Sequence, residues 1–93
     1  MYLEIVSPEA TLFTGEVDSV KVPGSAGDFQ MLNNHAPIVS TLKKGIVKIS
    51  GKIDLDEDLI KNKFEKEDAN TFLFKINSGT VEMRNNKLIL LAE

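Results

Sequence analysis

At 93 residues and 10.3 kDa the chain has material for one domain with one modest core, and its 42% hydrophobic and 27% charged residues exclude a disordered segment. It has no cysteine and one histidine, which excludes disulfides, thiolate zinc sites, thiol catalysis and multi-histidine metal sites. The net charge of −3 argues against a nucleic-acid partner, and the acidity is local: residues 54–68 hold seven acids and three lysines, while the remainder is +1.

Along the chain, apolar residues alternate with polar ones in short runs bounded by turn residues, the pattern of half-buried strands. Tyr2 to Val6 opens the series around Glu4, and Val20 and Val22 continue it. Val17 falls on the wrong parity for Val20 and Val22, which predicts a β-bulge near Asp18-Ser19. Pro23-Gly24-Ser25-Ala26-Gly27 reads as a loop. A strand is expected over Ala36 to Leu42, and another over Ile46 to Ile49 after Gly45. Residues 52–70 read as a charged excursion from a hairpin, in which Leu55, Leu59, Ile60 and Phe64 equally suit a short helix. Phe72 to Ile76 and Thr80 to Arg84 are strand-like, separated by Ser78-Gly79. Asn85-Asn86 predicts a two-residue hairpin turn, because asparagine tolerates positive φ. Leu88-Ile89-Leu90-Leu91 is apolar on both parities, which predicts a strand covered on both faces. Strands this short and this closely spaced imply one all-β domain over 1–93, a sandwich or flattened barrel in two sheets.

No catalytic apparatus is visible. Asp28, His35 and Ser40 or Ser50 supply the residue types of a nucleophilic triad without a nucleophile elbow or an oxyanion loop. Asp54, Asp56, Asp58 and Glu65 approach calcium-loop spacing, but Leu59 stands where the sharp turn needs glycine. Gly24-Ser25-Ala26-Gly27 lacks the Gly-Lys-Ser/Thr of a phosphate loop and is followed by Asp28, which would repel a phosphate. Lys43, Lys44, Lys48 and Lys52 lack the stacking aromatics of a nucleic-acid surface. What remains is an interaction module.

Ordered motifs then carry a resemblance. Ile5-Val6-Ser7-Pro8-Glu9, Leu12-Phe13-x-Gly15-Glu16-Val17, Val20-x-Val22-Pro23-Gly24 and, most specifically, Gly27-Asp28-Phe29-x-Met31-Leu32-x-Asn34-His35-Ala36-Pro37 come in that order. Ser78-Gly79, Val81-Glu82, Asn86, Leu88, Leu90 and Ala92 follow. Together they resemble the ε subunit of F-type ATP synthase, over roughly residues 1–50 and 71–93. Two positions depart: Gln30 stands where the family usually has a small residue, and residues 52–70 exceed its usual hairpin.

The resemblance implies a flattened β-sandwich of about ten short strands. It implies a non-catalytic rotor subunit that links the γ subunit to the membrane c-ring and couples ion translocation to ATP synthesis. By position it assigns Asp28, Phe29, Gln30, Met31, Asn34 and His35 to the c-ring, and Ser7, Ala36, Pro37, Ile38, Ser40 and Leu42 to γ. No cofactor, metal or nucleotide is expected. Family members commonly continue into two C-terminal helices; the sequence stops at Glu93, so neither inhibition by an extended C-terminus nor ATP binding is expected of it. No apolar run reaches the roughly 18–20 residues of a membrane span, and Met1-Tyr2-Leu3-Glu4 is not a signal segment, so a peripheral position on the cytoplasmic face of a bacterial inner membrane is expected. The competing class is a free-standing β-sandwich binding module, which would need an aromatic pocket; five Phe and one Tyr supply it poorly.

Overall fold

A computed structural model of the chain describes residues 1–53, 55 and 63–93. Ten strands follow one another: β1 (Tyr2–Val6), β2 (Thr11–Glu16), β3 (Ser19–Gly24), β4 (Gly27–Leu32), β5 (Ile38–Leu42), β6 (Gly45–Ser50), β7 (Phe64–Asp68), β8 (Thr71–Ile76), β9 (Gly79–Arg84) and β10 (Lys87–Ala92). The hydrogen-bonded order is β2-β1-β10-β9-β5-β3-β6-β8-β7, with β4 added to β3. A single pair, Gly24 with Leu42, joins β5 to β3. The sheet therefore divides at that corner into two five-stranded layers, β2-β1-β10-β9-β5 and β4-β3-β6-β8-β7. Only β1 and β10 run parallel.

The core lies between the layers and takes its side chains from both. Leu3, Ile5, Val81, Met83, Leu88 and Leu90 face inward from the first layer; Val20, Val22, Met31, Val47, Ile49, Phe72 and Phe74 face inward from the second. Each fully buried aliphatic or aromatic side chain contributes about 1.5–3 kcal/mol relative to exposure. Phe64 closes one side by stacking on Phe74, with ring centroids 5.0 Å apart.

Several expectations are corrected. There is no bulge at Asp18-Ser19. Val17 N donates to Met1 O and Asp18 N to Ser50 O, so two successive amides bond into different layers. The parity change marks a change of layer; the irregular register lies instead between Ile5 and Val6. Pro23, Gly24 and Gly27 belong to strands, and only Ser25 and Ala26 form the turn. β10 is hydrogen-bonded on both sides but covered on one face: Leu88 and Leu90 are buried, whereas Leu91 is 50% exposed. Asn85 and Asn86 adopt the expected left-handed conformation, with φ of 52° and 59°. Of the 52–70 excursion, Phe64 to Asp68 form β7; the helical alternative at 56–62 lies outside the described residues.

Candidate functional site

The residues matched to the ring all come from β4 and the loop that follows it, yet the structure separates them. Asp28 pairs with Pro23 beside the Ser25-Ala26 turn, at one end of the β3–β4 hairpin. Asn34 and His35 lie beyond its other end. From Asp28 to Leu32 alone, four residues of strand span about 14 Å. Gln30 is exposed between them, paired with Lys21, and Phe29 is half-buried. Met31 is fully buried. It anchors β4 in the core and is withdrawn from the contact set.

The turn end is rigid for steric reasons. A Cβ on Gly24 would sit 2.6 Å from Gly27 O and 2.7 Å from Phe29 Cε1, so the bare backbone of Gly24 is what lets the Phe29 ring lie across the hairpin. Gly27 has φ of 135°, a conformation that only glycine adopts readily. Ser25 N donates to Thr41 O at 3.0 Å, the Ser25 and Thr41 hydroxyls lie 2.7 Å apart, and Lys43 N donates to Pro23 O at 2.9 Å. These contacts tie the turn to the end of β5 and hold the Asp28 carboxylate on a fixed support.

The loop end is held by polar groups. Asn34 takes a left-handed φ of 62°, which asparagine tolerates. His35 N closes a turn onto Leu32 O at 3.1 Å. His35 Nδ1 lies 2.7 Å from Ala36 O. A carbonyl only accepts, so Nδ1–H is the donor in this contact. Asn33 Oδ1 accepts from the Met1 amino group, which also lies 3.1 Å from Glu16 Oε2.

The residues matched to γ fall on the first layer. Ser7 shapes the β1–β2 turn: its amide donates to Ala10 O at 2.8 Å and its hydroxyl accepts from Ala10 N at 3.3 Å. Ala36 and Pro37 are exposed, and Ile38 packs against the core. Ser40 shares a register row with the buried Val81 and Leu90, on the inward parity. Leu42 is buried, which removes it from any contact surface. Val39, inside the strand Ala36 to Leu42 but not among the residues matched singly, is 76% exposed. Register places it in one outward row with Glu82, Ile89 and Glu4, beside a second row of Thr41, Thr80, Leu91 and Val6. The signal for this face was present in the sequence as apolar residues on both parities of 38–42 and 88–91.

A groove of about 950 Å³ opens at the other edge, between β2 and β7–β8, lined by Pro8, Leu12, Ile46, Phe64, Phe74 and Ala92 among others. Among the described residues no group of His, Cys, Asp and Glu is placed to hold a metal ion, and no helix is long and apolar enough to cross a membrane. The Asp68 carboxylate is held below its ordinary range, first by the Asn70 amide, 2.9 Å away, then by the Thr71 hydroxyl, with a smaller contribution from Lys48.

Comparison with known proteins decides what this sandwich is. The family model described as the beta-sandwich domain of the ATP synthase delta/epsilon chain matches residues 1–61. The chain belongs to that family. It is 37% identical over 93 residues to the ATP synthase epsilon chain of Caulobacter vibrioides, covering all of this chain and 90% of that one. It is 40% identical over 91 residues to the epsilon chain of Chlorobaculum tepidum, covering 98% and 86%. The epsilon chain of Campylobacter curvus is 39% identical over the whole chain, which spans 60% of its length. Among solved structures, a chain of the Tetrahymena thermophila mitochondrial ATP synthase central stalk and c-ring superposes with a TM-score of 0.71 at 14% identity, over 99% of this chain and 62% of that one. A chain of the Euglena gracilis mitochondrial enzyme gives 0.72 at 15%, over 97% and 48%. These two show the fold. As an epsilon-chain homologue, the protein is a non-catalytic subunit of its complex.

Proposed function

We propose that this epsilon-chain sandwich is a rotor coupling of an F-type ATP synthase, seated between the γ subunit and the c-ring at the cytoplasmic face of a bacterial inner membrane, where it helps couple ion translocation to ATP synthesis. The observation that carries the reading is Val39, 76% exposed on a β-sheet face whose own row adds Ile89 and whose neighbouring row adds Leu91 and Val6. Along the Val39 row Glu82 stands between Val39 and Ile89, and Glu4 lies beyond Ile89, so exposed apolar side chains alternate with carboxylates, a mixed apolar and charged surface that suits a protein partner. We assign this face to γ, together with Ser7 at one end and Ala36 and Pro37 at the other; the Asn34-His35 loop, matched to the c-ring by motif, is reassigned to γ because it leads into β5 and lies beyond the end of the β3–β4 hairpin opposite Asp28. The Asp28–Gln30 segment, clamped through its turn to β5, is assigned to the polar loops of the c-ring. Stiffness suits this task, since a coupling that yields under torque stores work instead of passing it on.

The test is retention of purified γ–c-ring complex by the immobilised chain and by Val39→Lys. The substitution sits on an exposed site and is expected to leave unfolding free energy within about 0.5 kcal/mol of the parent. It replaces the most exposed large apolar side chain of that face with a charge and is expected to weaken binding at least about tenfold. Equal retention of the two forms would refute this face as the γ contact.

A further inference from the structure

The loop that carries Asn34 and His35 is not held by its own strands alone. Asn34 N donates to Asn86 Oδ1 at 2.7 Å, across 52 positions of sequence, from the connection between the layers to the β9–β10 turn. Asn86 also accepts the Tyr2 amide on its main-chain oxygen, at 3.0 Å. Its left-handed φ of 59° presents the two acceptors to different segments: the carbonyl to the start of β1, the side chain to the loop. The requirement on this position is therefore double: a residue that tolerates positive φ, and a side-chain oxygen that reaches Asn34. Glycine meets only the first condition, alanine neither, and aspartate both.

We propose that Asn86, although it lies on a different hairpin, is a positioning residue for the Asn34-His35 docking loop. This rests on the assignment of that loop to the γ contact. With Asn86 Oδ1 in place, Asn34 is fixed in its left-handed conformation, His35 closes its turn onto Leu32, and the imidazole is presented from a set direction by its Nδ1 contact with Ala36 O. Without it the turn at Asn85-Asn86 persists, the Tyr2 bond persists, and only the loop is released. The loop then has to be ordered when the partner binds, and affinity falls by that cost.

Amide hydrogen exchange of the full chain, read residue by residue, together with binding to purified γ–c-ring complex, tests this with Asn86→Gly and Asn86→Asp. Losing one hydrogen bond corresponds to about fivefold. In Asn86→Gly the Asn34 amide is expected to exchange about fivefold faster while the Tyr2 amide keeps its protection, and the Kd is expected to rise about fivefold. Asn86→Asp restores both to within about twofold. Unchanged Asn34 protection in Asn86→Gly overturns the proposal, and so does lost protection with unchanged affinity. If the parent chain does not bind the complex while Asn34 protection still follows the Asn86 side chain, the γ assignment fails and the loop-holding contact stands.

Discussion

The two ends of β4 carry neighbouring parts of one sequence motif, yet they are fixed by different physics. At the turn end, Gly24 and Gly27 let backbone and the Phe29 ring approach closely, and the main chain of Ser25 and Lys43 is bonded to β5 and β3. At the loop end, the shape depends on side chains: Asn34 in a left-handed conformation, Asn33 on the Met1 amino group, and Asn86 Oδ1 on the Asn34 amide. Close packing with main-chain hydrogen bonds at one end and side-chain hydrogen bonds at the other predict a hard end and a tunable one. A surface meeting a rigid ring loop suits the first, and a surface adjusting to a shaft suits the second.

The largest expected effect strikes both ends at once. Met31→Ala removes the fully buried side chain that anchors β4 and is expected to lower unfolding free energy by about 3 kcal/mol in urea titration. A loss under 1 kcal/mol would mean that β4 is not anchored through the core. Next comes Gly24→Ala, whose added methyl has backbone within 2.6 Å. It is expected to cost about 2 kcal/mol and to release protection of the Ser25 and Lys43 amides, while Asn34 stays protected. Loss at both ends would erase the contrast between them. The smallest effect belongs to Asp68, outside both regions. Its carboxyl pKa is lowered in the folded chain below its ordinary value of 3.8, so its contribution is present above that value and fades as pH falls through the lowered one. Asp68→Asn is expected to flatten the acid limb of the stability curve below about pH 4 and to remove at neutral pH the small contribution that the carboxylate makes there.

Much of the fold was legible because alternation reports burial directly: Leu3 and Ile5, Val20 and Val22, Val81 and Met83 all point inward. The Asn85-Asn86 turn was legible because few residues accept positive φ. Other elements were hidden for physical reasons. Glycine marks both turns and close approaches, so Pro23-Gly24 read as a loop although Gly24 is strand backbone making room for Phe29. β7 is an edge strand whose Glu65, Lys66, Glu67 and Asp68 are exposed, and such a run carries no apolar face beyond Phe64. The exposure of Val39 and Leu91 was hidden, because apolar residues on both parities suggest cover by the protein itself, whereas here the second face is open. The separation of Asp28 from His35 along β4 could not be seen in a motif that lists them seven positions apart.

The absence of cysteine makes the central claim directly measurable, since one introduced thiol is the only one in the chain. With a short thiol-to-amine cross-linker and the assembled rotor, Val39→Cys is expected to join γ and Asp28→Cys to join a c-ring loop. Cross-linking of neither position to the rotor, or of both to the same subunit, would contradict a coupling that bridges shaft and ring.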